Sequence, residues 1–171
     1  RIYGAMGFDN PMILTVFNGI VNLAFTCVAI FTVEKLGRKP LLIVGSLGMA
    51  IGAIGVACTF GTDYQLLCMI SLMVYSASFM FSWGPICWVL IAEVFPNTIR
   101  GGAVAIAVAF QWIFNWIVST SFVPMANSLG YWFTYGLYGV ICVIAAIFVW
   151  KLVPETKGKT LEDMTKLWKK K

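Results

Sequence analysis

Long apolar runs separated by short polar segments dominate this chain. Asp, Glu, Lys and Arg are absent from four of these runs, at residues 12–33, 41–60, 66–92 and 101–150. About 20 apolar residues are enough for a helix to cross the hydrocarbon core of a membrane. The last run is too long for one crossing, and the turn-forming stretch PMANSLG at 124–130 divides it. The pattern predicts an all-α integral membrane protein with five transmembrane helices, at 12–33, 41–60, 66–92, 101–124 and 131–152.

The composition favours the same class. Hydrophobic residues make up 60% of the chain and charged residues 11%, whereas soluble domains carry roughly 25% charged residues. An ordinary soluble domain is therefore excluded.

The cationic residues predict how the helices are oriented. Of the 12 Lys and Arg residues, all but Arg1 fall in the segments 34–40, 93–100 and 151–171. Short cytoplasmic loops are enriched in Lys and Arg, so we expect a multi-pass protein of the inner (plasma) membrane with its C-terminus in the cytoplasm. The net charge of +5 then reflects topology and not nucleic-acid binding. The predicted division is an extracellular or periplasmic loop at 1–11, a partial helical bundle at 12–152 and a cytoplasmic tail at 153–171.

Metal and disulfide motifs are missing from the sequence. The chain has five cysteines, none in a CxxC pair, and no histidine. We therefore expect no metal site, no disulfide framework and no cofactor.

The third predicted span contains the most informative stretch, FMFSWGPICW. Proline removes a backbone donor, so the helix is expected to kink or open at Gly84 and Pro85. Broken helices at membrane depth are tolerated where they line a cavity, and transporters use them at substrate sites. Phe79 and Trp88 would then flank an aromatic-lined bend. The alternative is a packing kink with lipid-facing aromatics.

Polar side chains follow one face of the first and fourth spans. Asn22 belongs to such a stripe in the first span, where either interhelical hydrogen bonds or direct ligand contact would satisfy its amide. In the fourth span, Gln111 lies beside Trp112, and amides next to indoles suit a sugar, whose hydroxyls need hydrogen bonds and whose ring face stacks. The spans lack charge, so the expected substrate is neutral. In the second span, Gly45, Gly48, Gly52 and Gly55 indicate close helix packing.

Acidic residues stand at the cytoplasmic ends of three predicted helices. Glu34, Glu93 and Glu155 would oppose the macrodipoles of their own helices, which suggests nearby cations. Arg38, in EKLGRKP, and Arg100, in EVFPNTIR, are the expected partners, and Arg100 is expected to pair with Glu93. Such pairs could form a conformational latch, and the alternative is a set of solvated surface pairs.

Three motifs, EKLGRKP, WGPICWVLIAEVFPNTIRG and PETKGKTLE, occur in order along the chain. Together they resemble the sugar porter family of the major facilitator superfamily, and most closely its bacterial members that carry D-xylose with a proton. The resemblance implies a twelve-helix fold with a sugar held between two six-helix bundles, of which this chain supplies helices 8–12. It also implies sugar contacts by Trp88, Phe79, Gln111, Trp112 and Asn22, and a cytoplasmic charge network of Glu34, Arg38, Glu93, Arg100 and Glu155.

The same resemblance predicts what this chain lacks. Helices 1–7, including the helix 1 acid associated with proton coupling, have no counterpart in the sequence. A complete transporter does not usually begin in an outer loop, so we expect a fragment that does not transport alone. The leading hypothesis is a part of a proton-coupled monosaccharide transporter, not an enzyme, in the lipid bilayer. A facilitative uniporter, a sugar sensor and an inactive remnant are the alternatives.

Overall fold

The structure, a computed structural model, describes residues 11–95 and 97–158, and helices account for nearly all of them. The helices are α1 (Pro11–Leu36), α2 (Arg38–Thr59), α3 (Gln65–Phe81), α4 (Trp83–Val94), α5 (Arg100–Leu129) and α6 (Tyr131–Leu152). α3 and α4 follow one another as a single interrupted span. Within the described residues, five segments are therefore long and apolar enough to cross a membrane. The predicted all-α membrane class is confirmed.

The division between the last two spans differs from the prediction. α5 continues through Pro124 to Leu129, and the chain turns at Gly130, whose φ of 85° is in the left-handed region that glycine adopts readily. The predicted end at residue 124 is therefore wrong. A proline inside a helix removes one backbone donor, and membrane helices tolerate this where other groups compensate. The Ser128 Oγ donates to the Pro124 carbonyl at 2.9 Å, a bond one turn beyond the Thr120 carbonyl, which is the acceptor that loses the proline's N–H.

α2 lies at the centre of the bundle, between α3 and α6. Its glycine stripe packs closely, as the spacing predicted, and the structure shows that the partner is the interrupted span: a Cβ added at Gly45 would lie 1.7 Å from Ser82 Oγ, and one added at Gly52 would lie 2.6 Å from the backbone nitrogen of Tyr75. The close approach requires residues without side chains. The predicted packing role of this stripe is confirmed.

Buried side chains form clusters near both ends of α2. Leu41 and Leu42 pack against Ile86 and Val149 near its beginning. Towards its end, Ala53 and Val56 pack with Cys68 and Tyr135. Aromatic rings extend this second cluster, with Phe60 stacked on Tyr131 at a centroid distance of 4.2 Å. The clusters fix α3, α4 and α6 around α2.

α5 is the least covered helix. In the most apolar stretch of α5, the rest of the chain buries none of the residues. In the corresponding stretch of α2, half of the residues are buried. Among the described helices, its main contacts are with α6 and α4. Much of its surface, including the Trp112 side chain, is therefore uncovered, whereas Gln111 is half-buried.

Candidate functional site

The predicted helix break is present, but it lies at Ser82 and not at Gly84 and Pro85. Ser82 has φ −128° and ψ −83°, outside the helical range, and α4 begins at the next residue. Pro85 lies in the first turn of α4, where a helix does not need its missing N–H. The first new bond of α4 runs from the Ile86 N–H to the Ser82 carbonyl at 3.0 Å. The effect of the proline appears in the turn before it.

The interruption is held against α2 by contacts that the sequence did not predict. The Trp83 Nε1–H donates to Ser46 Oγ at 2.7 Å, and Ser46 Oγ donates to the Leu42 carbonyl at 2.7 Å. Ser82 is fully buried and fits against Gly45. These contacts hold the break in place, because it packs against small residues of α2.

Two predicted aromatic side chains flank this break. Phe79 precedes it on α3 and is 41% exposed, and Trp88 follows it on α4 and is 44% exposed. Large aromatic rings left half uncovered in this way provide flat apolar surfaces for stacking. Rings exposed to this extent suit stacking against a ligand and contact with lipid alike.

The predicted pair on α5 combines an amide with an indole. Gln111 is half-buried, and its Oε1 atom is buried without a hydrogen-bond partner among the described residues. The Trp112 side chain is 62% exposed. Buried polar atoms almost always have partners, so the Gln111 carbonyl requires one beyond the contacts seen here.

Asn22 on α1 makes an interhelical hydrogen bond. Its Oδ1 accepts a bond from Ser76 Oγ of α3 at 2.8 Å. The Nδ2 of Asn18, one turn earlier on α1, approaches the same Ser76 oxygen at 3.5 Å. The sequence indicated the polar stripe on α1 but gave no sign that Ser76 would be its partner.

Within the described residues, these five side chains lie on three separate spans. α3 and α4 carry Phe79 and Trp88, and α1 is joined to α3 through Asn22. Within the same part of the chain, no hydrogen bond or aromatic ring contact links Gln111 or Trp112 to the other three. The described residues also contain no group of three or more His, Cys, Asp or Glu side chains that could hold a metal ion.

A charge cluster forms at the end of the bundle where α2 begins. Arg38 Nη2 lies 2.8 Å from Glu93 Oε1, and these side chains are 17% and 27% exposed. Thr156 Oγ1 donates to the other Glu93 oxygen at 2.6 Å. The sequence indicated Arg100 as the partner of Glu93, and this was wrong: the packing of α2 on α4 places Arg38 there. In the described part of the chain, Nε and Nη2 of Arg100 are buried without hydrogen-bond partners.

Glu155 caps the N-terminus of α2. Its two carboxylate oxygens accept hydrogen bonds from the backbone N–H groups of Arg38 and Lys39, both at 3.1 Å. Gly37, with φ 93°, allows this approach, because a Cβ there would lie 2.8 Å from Glu155 Oε2. The expectation that Glu155 opposes a helix dipole is thus wrong, since its carboxylate lies at the favourable end of a different helix. By contrast, Glu34 is exposed and makes no hydrogen bond or ion pair with the described residues.

Comparisons with known proteins agree on one family. A family model described as Sugar (and other) transporter matches residues 1–168. The D-xylose-proton symporter of Escherichia coli (strain K12) is 49% identical, over 94% of this chain and 34% of the symporter. The glucose transport protein of Synechocystis sp. is 41% identical, over 95% of this chain and 38% of that protein.

A solved structure agrees with these relatives. The inward open conformation of the xylose transporter XylE from E. coli superimposes with a TM-score of 0.87 at 50% identity, over 94% of this chain and 36% of that chain. The chain therefore spans about a third of the length of the curated relatives it matches.

Proposed function

This chain belongs to the sugar transporter family, and from this premise we propose that it forms the C-terminal part, helices 8–12, of a monosaccharide carrier. The proposed substrate is a neutral sugar, xylose or a close relative, moved with a proton by alternating access. No covalent bond changes in this process, so the protein is not proposed as an enzyme. The proposed location is the inner (plasma) membrane, with residue 1 outside and the C-terminus in the cytoplasm.

The Gln111 carboxamide is the observation that supports a sugar most directly. Its Oε1 is buried and unpartnered in the described residues, and the exposed Trp112 indole lies next to it in sequence. A sugar hydroxyl would donate to the oxygen while the ring face stacks on the indole. A charged substrate would need an intramembrane counter-charge, and the described helices carry charged side chains only near their ends.

The interrupted span supports the proposal with a second pair of side chains. Transporters place substrates near broken helices because loosened backbone is tolerated where it lines a cavity. Phe79 and Trp88 lie on either side of the interruption and remain partly uncovered. We assign both to the proposed sugar site, together with Asn22 of α1.

Helices 1–7 would have to complete the carrier. The matched relatives are about three times as long as this chain, and the sugar porter resemblance assigns proton coupling to an acid of helix 1. We therefore expect the chain alone not to transport. The complete carrier, meaning this full chain joined to seven preceding helices of its own gene or of the E. coli symporter, is the form to test.

The deciding experiment measures uptake of radiolabelled xylose in cells that lack their own xylose uptake. The complete carrier is expected to accumulate xylose, an uncoupler is expected to abolish accumulation, and the chain alone should give none. Equilibration that survives the uncoupler would replace symport by facilitated diffusion. Absence of both uptake and binding for xylose, glucose and arabinose would refute the proposed function.

The charge cluster is proposed as a conformational gate. Arg38 links the beginning of α2 to Glu93 at the end of α4, and Thr156 of the tail joins the same carboxylate. A contact present in one state biases the equilibrium between states. We expect Glu93→Gln to increase labelling of engineered cytoplasmic cysteines and to lower proton-driven accumulation without weakening sugar binding. Unchanged labelling and accumulation would leave the cluster as a surface pair of little energetic value.

A further inference from the structure

Three polar side chains form a junction between α1 and α3. The Ser76 hydroxyl of α3 lies between two asparagines of α1, with Oγ 2.8 Å from Asn22 Oδ1 and 3.5 Å from Asn18 Nδ2. All three residues are half-buried. Asn18 Oδ1 is buried without a hydrogen-bond partner in the described part of the chain. The junction therefore lies between packed helices and not on an open surface.

The Ser76 hydroxyl donates to one asparagine and accepts from the other. A serine hydroxyl has one hydrogen to donate and lone pairs that accept. Ser76 donates its hydrogen to Asn22 Oδ1, and its oxygen faces the amide of Asn18. The Asn22 carbonyl oxygen is thereby occupied, while its Nδ2 group donates to no described residue. An amide donor within a membrane span is costly to leave unpaired.

The junction shares a helix face with the proposed sugar site. Ser76 and Phe79 are three residues apart on α3, so their side chains lie on one face, a turn apart. Phe79 is 41% exposed. The Asn22 amide, which is bonded to Ser76, therefore lies about one turn along α3 from the partly exposed Phe79 ring.

We propose that Ser76 is a positioning residue, which holds Asn22 so that its Nδ2 donates to a hydroxyl oxygen of the sugar. Asn18 supports the hydroxyl from the other side. This inference rests on the proposed function and deepens it, because an amide presented as a donor discriminates against a sugar that lacks the matching oxygen. Ser76 acts through Asn22 and does not touch the sugar.

The test compares serine variants in the complete carrier. Ser76→Ala is expected to weaken sugar affinity roughly threefold to tenfold, the usual effect of one lost hydrogen bond, while the maximal transport rate stays within about twofold. Ser76→Thr keeps the hydroxyl and should restore affinity. Ser71→Ala is the matched control, because Ser71 lies on the same helix but bonds its own backbone, from Oγ to the Leu67 carbonyl at 2.8 Å.

Sugar analogues separate positioning from general loss of structure. In the parent carrier, replacing the recognised hydroxyl by hydrogen should weaken binding more than replacing it by fluorine, which accepts but cannot donate. Ser76→Ala should lose this difference. The double variant Asn22→Ala with Ser76→Ala should bind no more weakly than Asn22→Ala alone, since residues acting through one contact are not additive.

Each outcome is decisive. If the parent carrier binds no sugar, the proposed function is refuted and the inference falls with it. If the parent binds sugar but Ser76→Ala behaves like Ser71→Ala, the inference is overturned and the function stands. Should Ser76→Ala fail to fold, Ser76→Cys, with its weaker donor, must show the same loss of analogue discrimination, and parental discrimination there overturns the inference.

Discussion

Replacing Glu155 should expose the start of α2. The structure gives this carboxylate three backbone hydrogen bonds, from Arg38 and Lys39 at 3.1 Å and from Lys157 at 2.9 Å. Gly37 precedes α2 and provides no side-chain cap. The first N–H groups of a helix have no partner within the helix, so removal of the carboxylate leaves the Arg38 and Lys39 amides without an acceptor.

The size of the effect follows from these bonds. Losing a helix cap costs about 0.5–2 kcal/mol, and the favourable charge at a helix N-terminus adds about 0.3–1 kcal/mol. Glu155 is partly exposed, so solvent screening places the effect in the lower half of the summed range. We expect about 1 kcal/mol for Glu155→Gln, which keeps one acceptor oxygen, and about 2 kcal/mol for Glu155→Ala.

Amide hydrogen exchange measures this locally in the complete carrier. One to two kcal/mol corresponds to roughly fivefold to thirtyfold faster opening, so peptides that contain Arg38 and Lys39 should exchange faster by that range. Glu34→Ala is the matched control, because it removes an acidic charge near the same helix end from an exposed side chain with no bond to the described residues. It should leave exchange unchanged. Parental exchange in Glu155→Ala would refute the cap, and equal acceleration by Glu34→Ala would assign the effect to net charge.

Three other predictions concern helix packing and the sugar site. Gly52→Ala should lower the melting temperature of the complete carrier in detergent, because its Cβ would lie 2.6 Å from the backbone of Tyr75 and overpacking costs about 1–3 kcal/mol. In the control Gly101→Ala, the added Cβ meets nothing within 4 Å, so the melting temperature should not change. Equal melting temperatures for the two variants would contradict this packing. Trp88→Ala should weaken sugar binding by the complete carrier, as measured by calorimetry. The control Trp150→Ala removes an exposed indole of α6 and should leave the affinity unchanged. Unchanged affinity of a folded Trp88→Ala variant would remove Trp88 from the site. Gln111→Ala should weaken binding by about 1–3 kcal/mol, and identical relative affinities for xylose, glucose and a deoxy analogue would exclude it.

The helices were predictable because their signal is local. A run of more than 20 uncharged residues specifies a membrane span with little dependence on its neighbours. The glycine stripe of α2 was equally readable, since Gly45 and Gly52 fall on one helix face. Both features depend on residues that are close in sequence.

Proline effects were predicted in kind but not in position. Pro85 cannot donate to the carbonyl of residue 81, so the disturbance appears at Ser82, in the preceding turn. Pro124 has the same chemistry, yet α5 continues past it to Leu129 and the chain turns at Gly130. A proline lowers the stability of a helix, and the surrounding contacts decide whether the helix ends there.

Contacts between helices were the least predictable. Glu155 lies 117 residues from Arg38, and a dipole argument limited to its own helix placed its charge at the wrong end. Ser76 had no distinguishing pattern, because its importance depends on the register between α1 and α3. Candidate sugar residues were identified through motifs, whereas their hydrogen-bond partners required the packed structure.

The cap on α2 also has a consequence for biosynthesis. A ribosome adds roughly 5–20 residues per second, so the 117 residues between Arg38 and Glu155 take about 6–23 s to make. During this interval α2 is already synthesised, but Glu155, whose carboxylate accepts hydrogen bonds from its first amides, has not yet been translated. A premature stop codon before position 155 would leave the Arg38 and Lys39 amides without the Glu155 carboxylate that accepts from them.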